Sequence, residues 1–279
     1  MRKLLIPPTS YQGGKQRISK SIVDILLKEN DISSESKFID LCCGSGSISL
    51  ELINRGISPE NIVMVDMGIY GKFWESIAKG SFNLTIFKNE LEKLPDVENI
   101  QNYLKSISNE IVDEDLIVYH YLLLQAGSFG SKQIWVENNA WKNASFRNYW
   151  KPTETSNRKS PVNPMMPMPN NLLIRVENIV NELSNKINAI NVDINNLGYN
   201  INKNDIIYID PPYINTTGYG FSLNYEEIIE KYKNNKIYIS EGIPLNNMSS
   251  VLISSGRLKG NINGKSNKQP NEEWLNILN

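Results

Sequence analysis

Apolar residues recur along this chain in two periods, and the period changes along its length. Ile18, Ile22, Ile25 and Leu26 fall on one face of a helix. The turn Tyr11-Gln12-Gly13-Gly14-Lys15 feeds that helix, with Lys15 near its start. Lys37–Cys43 is a short apolar run that predicts a strand. It passes through Gly44-Ser45-Gly46 into a helix carrying Ile48, Leu50, Leu52 and Ile53. Residues 61–65 predict the next strand, closed by Asp66. From about residue 70 to 184 this rhythm lapses. Residues 71–78 and 97–126 read as helical, the second run apolar enough around Leu116, Val118, Tyr119, Leu122, Leu123 and Leu124 to be a buried helix. Gly127-Ser128-Phe129-Gly130 breaks it. Residues 131–170 hold Trp135, Trp141, Phe146, Tyr149 and Trp150 among polar residues and prolines, which predicts loops rather than a sheet. Helical spacing returns over 172–185.

Strand and helix then alternate again. Residues 187–192 predict a strand ending in Asp193, and Ile206–Ile209 one ending in Asp210. A helix is expected over 226–233 and a strand over 236–240. Val251–Ile253 and the basic segment after Gly256 are expected to form the last strands as a hairpin. Alternating strands and helices predict an α/β fold around a mostly parallel sheet. Residues 215–220, with Thr216, Thr217, Gly218 and Gly220, predict a loop over a strand end.

The stretch DIIYIDPPY, residues 205–213, carries the most specific chemistry. Its β-forming run stops at Asp210-Pro211-Pro212-Tyr213 because proline lacks the N–H a ladder needs. The tetrapeptide therefore sits at the carboxyl end of a strand, where open α/β sheets bind ligands. The Asp210 carboxylate and the Pro211 carbonyl are two acceptors side by side, which suits an exocyclic amine with its two N–H donors. Bonding both hydrogens draws the nitrogen lone pair out of ring conjugation and makes the amine a better nucleophile. Tyr213 offers a face for a base to stack on. The bland alternative is a proline-terminated core strand with an exposed acid.

Strand, Gly44-x-Gly46, helix is a turn that lets backbone approach a ligand closely. Ser49 stands where the dinucleotide fingerprint has its third glycine, which disfavours a dehydrogenase. Asp66, after the second strand, is placed to accept ribose hydroxyls. A lysine at a helix start opposes the helix dipole, so Lys15 is expected to have an anionic partner, such as a ligand carboxylate. A flexible loop lysine is the alternative.

Composition narrows the class. The chain has 279 residues, 40% of them hydrophobic, enough for a sizeable core. No apolar run reaches the ~18 residues of a membrane span, and the N-terminal apolar stretch is too short for a signal peptide. A cytoplasmic protein is expected. Cys42 and Cys43 are adjacent and without a Cys/His cluster, so they are expected reduced and buried, and no metal is expected. His120, the single histidine, is expected on a helix rather than in catalysis. Net charge is −1, but the sign is uneven. Acids dominate between Lys88 and Asp115. Lys132, Lys142, Arg147, Lys151, Arg158, Lys159 and Arg175 dominate between Ser128 and Arg175, and Arg257, Lys259, Lys265 and Lys268 mark a basic tail. Such surfaces suit a phosphate backbone or are ordinary solvated loops. The interleaved aromatics suit base edges or form a satellite core under the loops.

Tyr-x-Gly-Gly-Lys, Gly-x-Gly, Asp66, a long insertion, Asp193 and Asp-Pro-Pro-Tyr stand in one order. That order resembles the DNA adenine-N6 methyltransferases of the α ordering, the D12 class of bacterial and phage DNA adenine methylases, over nearly the whole chain. The resemblance implies a Rossmann-like class I methyltransferase sheet, mostly parallel with one antiparallel strand, and a helical, loop-rich inserted recognition domain. It divides the chain into residues 1–90 and 185–279, binding S-adenosylmethionine, and 91–184, recognising DNA. It implies Tyr11, Gly14, Lys15, Asp40, Gly44, Gly46, Asp66, Asp193, Ile194 and Asp210 as cofactor-binding. It makes Asp210, Pro211, Pro212 and Tyr213 the catalytic motif. Ser128, Lys132, Lys142, Arg147, Arg158 and Lys159 would meet DNA. Ile239-Ser240-Glu241 resembles a strand lining the target-base pocket. Cys42 departs from the family's usual phenylalanine, and Glu241 stands where asparagine is common. The implied reaction is methyl transfer to adenine N6 in duplex DNA, with the base flipped out, without metal. The partners are double-stranded DNA and, in a restriction–modification pair, a cognate restriction enzyme. Cytosine N4 or RNA adenine as acceptor, and a non-catalytic protein on the same scaffold, are the competing readings.

Overall fold

Strands covered on both faces need apolar side chains at every position, and Ile62–Val65 and Ile206–Ile209 supply them. A computed structural model describes residues 3–32, 35–211, 225–256 and 271–278. Pro212, Tyr213, residues 215–220 and the basic residues Arg257, Lys259, Lys265 and Lys268 lie outside the described residues. In chain order the elements are α1 (Ser19–Lys28), β1 (Phe38–Leu41), α2 (Ser47–Asn54), β2 (Ile62–Val65), α3 (Ile69–Ala78), α4 (Leu84–Glu92), α5 (Ile100–Asn109) and α6 (Ile117–Gly127). Then follow β3 (Trp135–Glu137), β4 (Ala140–Lys142), α7 (Pro169–Leu183), β5 (Asn188–Ile190), β6 (Ile206–Ile209), α8 (Tyr225–Lys231), β7 (Lys236–Glu241), β8 (Ser249–Gly256) and β9 (Asn271–Leu278).

One seven-stranded sheet runs β5-β2-β1-β6-β7-β9-β8. The first five strands are mutually parallel, and β9 alone runs against its neighbours β7 and β8. The strand period of two splits the apolar residues between two cores. Ile39, Leu41, Val63, Val65, Ile207 and Ile209 pack with Ile228 and Tyr232 near α8 on one face. Phe38, Ile62, Met64, Ile206 and Tyr208 join the other core, with Ile22 of α1, Leu50 of α2 and Trp74 of α3. That second core continues without a break into α5, α6 and α7 through Leu104, Leu122 and Leu172. Helix α4 runs across residue 90, and its Phe87 belongs to the same core as the sheet residues.

Several expectations change. The expected helical run over 97–126 is two helices, α5 and α6. The segment between them turns where the Asp113 carboxylate accepts the Asp115 N–H at 2.9 Å, a local bond that competes with helix. Helix α4, not expected, starts where the Asn83 side chain accepts from Thr85 N and Ile86 N. Residues 131–170 are mostly loop, but β3 and β4 form a small hairpin. Its turn residues Asn138 and Asn139 have φ of 52° and 56°, the left-handed pair of a tight two-residue hairpin turn. The first strand stops at Leu41 because Cys42 turns left-handed at φ 63°. Cys43 is buried as expected, whereas Cys42 is half-buried; both are free thiols. The last two strands do form an antiparallel hairpin, but β9 lies beyond the basic segment. His120 sits on α6 with Nε2 3.2 Å from Glu90 Oε2. Among the described residues no helix is long and apolar enough to cross a membrane, and no group of three His, Cys, Asp or Glu converges for a metal ion.

Candidate active site

Parallel strands end together, so residues following their carboxyl ends share one edge. Leu41 pairs with Val65 on one side and Ile209 on the other, and Ile209 pairs with Ile239. Cys42, Asp66, Asp210 and Ser240 therefore stand in line along the edge. The ladder holds them there: Cys43 N donates to Val65 O at 3.0 Å and Asp210 N to Leu41 O at 3.3 Å. Because β9 is reversed, its start reaches the same edge, and Trp274 pairs with Glu241. Glu273 thus joins the edge from the end of the chain.

The Gly-x-Gly turn is clamped from three sides. The Asp66 carboxylate accepts Gly44 N at 2.9 Å through Oδ2 and Gly68 N at 2.7 Å through Oδ1. The Trp74 indole donates to Gly44 O at 2.9 Å. A Cβ on Gly44 would lie 3.1 Å from the Tyr11 ring, and one on Gly46, whose φ is 78°, would lie 2.5 Å from Trp74. The turn thus needs glycine both for backbone conformation and for space. Burial raises the Asp66 carboxyl, while the backbone N–H groups of Gly44, Gly68 and Gly71 pull it back. Each Asp66 oxygen keeps acceptor capacity beyond these bonds.

Lys15 is buried, 3% exposed, in the turn before α1. Its ammonium donates to Asp210 Oδ1 at 2.5 Å and to Gly13 O at 2.7 Å, and lies 3.8 Å from Glu273 Oε1. Lys15 thus has an anionic partner, and it is the chain's own Asp210. Burial lifts the Asp210 carboxyl to about 6; Lys15 pulls it down, and the Glu273 and Glu241 charges push it up. Glu241 is buried and accepts Gly242 N at 2.8 Å. Ser240 bonds the Tyr208 hydroxyl at 2.7 Å.

Other expected residues stand at or near this edge with different partners. Asp40 points into the interior, where its carboxyl accepts the Ser49 hydroxyl at 2.6 Å. Burial raises it to about 7, the Ser49 bond opposing and Asp210 and Asp66 adding to the rise. Asp193 uses Oδ1 to accept Asn195 N at 2.8 Å, with Ile194 buried beside it. Gly14 packs on Tyr11 and Ser45. Pro211 is buried next to Asp210.

The residues expected at DNA divide. Ser128 is buried and donates its hydroxyl to Lys132 O at 2.8 Å, so that hydroxyl closes a turn. Lys132 is exposed, and Lys142 and Arg147 are half-buried. Buried Gln125 ties this segment to the N-terminal one, donating to Lys132 O at 3.0 Å and Ser10 O at 3.4 Å. Arg158 and Lys159 lie in the separate loop closed by the Trp150–Val162 bridge. There Arg158 donates to Ser160 O at 2.9 Å and Lys159 to Glu154 O at 3.1 Å. Trp74, Ser49 and Glu273 were not expected as parts of the site. Ser49 had a signal, since it replaces the third glycine of the fingerprint. Glu273 had none.

A mostly parallel sheet with one reversed strand, acids at its carboxyl edge and a glycine turn after β1 is the frame of a Rossmann-like methyltransferase. The chain belongs to the D12 class N6 adenine-specific DNA methyltransferases, whose family model matches residues 11–254. No curated protein sequence matches it.

Proposed function

We propose that the protein transfers the methyl group of S-adenosylmethionine to the N6 amine of an adenine turned out of duplex DNA. The observation that carries this reading is the Lys15–Asp210 contact of 2.5 Å. It joins the N-terminal motif to the Asp-Pro-Pro-Tyr motif at the edge occupied by Asp66 and Gly44. The residues present fit the cofactor. Gly44 and Gly46 leave the turn bare on either side of Ser45, Asp66 has acceptor capacity for ribose hydroxyls, and Asp193 stands beside buried Ile194 for the adenine. Tyr11, Gly14 and Lys15 flank the turn on its other side. The cofactor supplies a methyl group on a positively charged sulfur.

The chain's own residues do the rest. The Asp210 carboxylate and the Pro211 carbonyl accept hydrogen bonds from the two N6 hydrogens and turn the nitrogen lone pair toward the methyl group. As the N–C bond forms the S–C bond would break with its electron pair left on sulfur, and the methylated nitrogen would give up one of its two protons by way of the Asp210 carboxylate. Pro212 and Tyr213 complete the motif, Tyr213 stacking on the base. N6 is paired inside the duplex, so the base must leave the stack. Positioning of amine against methyl supplies much of the acceleration. Residues 1–90 and 185–279 serve catalysis, and 91–184 serve target recognition, with Lys132, Lys142, Arg147, Arg158 and Lys159 available to phosphates and bases.

The test is transfer of tritiated methyl to duplex DNA, with mass spectrometry of the nucleosides. N6-methyladenine is expected. Asp210→Ala should bind cofactor and lose about a hundredfold to a thousandfold in transfer, by analogy with loss of one transition-state hydrogen-bond partner. A wild-type protein that binds DNA and cofactor but transfers no methyl overturns the reading.

A further inference from the structure

We infer that Glu273 is a positioning residue that shares the Lys15 ammonium with Asp210 and gives it a second seat when the substrate amine takes its place on the Asp210 carboxylate. The inference rests on the methyl-transfer reading and adds to it a residue on β9, beyond the segment 11–254 that the family model matches.

The geometry sets up a conflict that Glu273 resolves. Asp210 must accept a hydrogen from the amine through Oδ2 while its Oδ1 is held by Lys15 at 2.5 Å. An ammonium seated that close takes up much of the carboxylate's charge and weakens it as an acceptor. Lys15 cannot simply swing into solvent, because its side chain is 3% exposed. Leaving Asp210 with no other anion would strand a buried cation. Glu273 Oε1 lies 3.8 Å from Lys15 Nζ with its side chain 15% exposed. A shift of about 1 Å in Nζ would bring it into hydrogen-bonding range of Glu273. The Gly13 carbonyl, 2.7 Å from Nζ, can stay bonded as a pivot throughout. Glu241, Asp40 and Asp66 are the other acids facing this group. Glu241 accepts Gly242 N, Asp40 the Ser49 hydroxyl and Asp66 the N–H groups of Gly44 and Gly68; among the described residues Lys15 is ion-paired with Asp210 and with Glu273.

Two arms of one experiment on the full chain test this. In the first, the Asp210 carboxyl is titrated by carbon-13 NMR in the wild type and in Glu273→Gln, with Asp210→Asn to assign the signal. Removing a negative charge that now pushes the Asp210 carboxyl up should move its titration to lower pH. An unmoved titration overturns the coupling. In the second arm, kcat and KM for methyl transfer are followed against pH. Glu273→Gln should lose about tenfold in kcat with KM for DNA and cofactor little changed, its acid limb moving down in step with the NMR value. Glu273→Asp, which keeps the charge, should return both toward wild type. An unchanged kcat, or equal losses in the Gln and Asp variants with no movement of the limb, overturns the shared-lysine role. A wild type inactive in the second arm refutes methyl transfer itself, and the first arm still decides whether Glu273 acts on the Lys15–Asp210 pair.

Discussion

Replacing Lys15 by methionine removes the cation from Asp210 while keeping an unbranched side chain one atom shorter. The Asp210 carboxyl stands at about 6, the balance of burial and two neighbouring acids pushing up against Lys15 pulling down. An opposite charge at this range moves a carboxyl by about 1–3 pK units. In Lys15→Met the carboxyl should therefore rise to about 7–9. Breaking a buried pair by deleting one partner costs at most about 3–5 kcal/mol, and here less, because Asp210 escapes by taking up a proton. The amine needs the ionised form, so the acid limb of kcat/KM should shift upward with the carboxyl. At pH 7 the loss from this cause should be between about twofold and a hundredfold, regained as the pH is raised above about 9. Rates of tritiated-methyl transfer across the pH range check it, with KM for the cofactor recorded separately. An acid limb that stays near 6 refutes the claim that Lys15 governs Asp210. A raised cofactor KM with an unmoved limb would leave Lys15 a ligand contact only.

Asp40→Asn should be stabilising at alkaline pH. The folded-state carboxyl at about 7 lies above its ordinary 3.8, so its favourable contribution is full below about 3.8 and is lost as pH rises through about 7. Asparagine keeps an acceptor for Ser49 and cannot ionise. Urea unfolding should show the variant gaining on wild type by about 2 kcal/mol between about pH 5.5 and pH 8.5, and a gap independent of pH counts against the buried acid. Gly46→Ala should lose about 1–3 kcal/mol, since its Cβ would meet Trp74 at 2.5 Å and Met64 at 2.8 Å with φ at 78°. Thermal unfolding reads that loss directly, and an unchanged midpoint would mean the turn can shift.

The strands nearest the site were the most legible part of the chain. Ile206–Ile209 is apolar at every position and cut by two prolines, so both its ends follow from the residue types. Gly44-x-Gly46 and Asp66 were legible as a turn and an acid, though their close engagement through Trp74 depends on packing between β1 and α3. The hairpin Trp135–Lys142 was missed because its signal is short: two asparagines between aromatic-bearing triplets, amid prolines that spoke for loop. The helix over 97–126 was read too long because apolar spacing continues through a break that one Asx bond makes. Asp40 was assigned to the cofactor through resemblance, and its bond to Ser49 shows why serine replaces glycine there. A glycine at 49 would leave this buried carboxyl without its hydroxyl donor. Glu273 is legible only from topology. Its place at the edge depends on β9 running backward, which no local pattern announces.

The acid-rich edge makes physical sense once the direction of the reaction is considered. Asp66, Asp210, Glu241 and Glu273 gather there with Lys15 among them, an arrangement in which the acids repel one another where burial limits their hydration. Burial lifts Asp210 and Asp66, and the neighbouring acids lift Asp210 further, so the edge holds unspent attraction for positive charge. On the proposed reading the methyl donor arrives cationic and leaves neutral, while the amine becomes cationic as it attacks. The positive charge passes from sulfur to nitrogen, toward Asp210, and never leaves the acids' reach. A carboxylate that is hard to keep ionised in the resting protein is therefore favoured as the charge arrives, which is a differential effect of the kind that lowers a barrier rather than merely tightening binding. On the same reading Lys15 opposes this while it sits on Asp210 and would oppose it less once turned to Glu273. The resting pair keeps the site ionised near neutral pH, and its loosening lets the field act on the reacting amine.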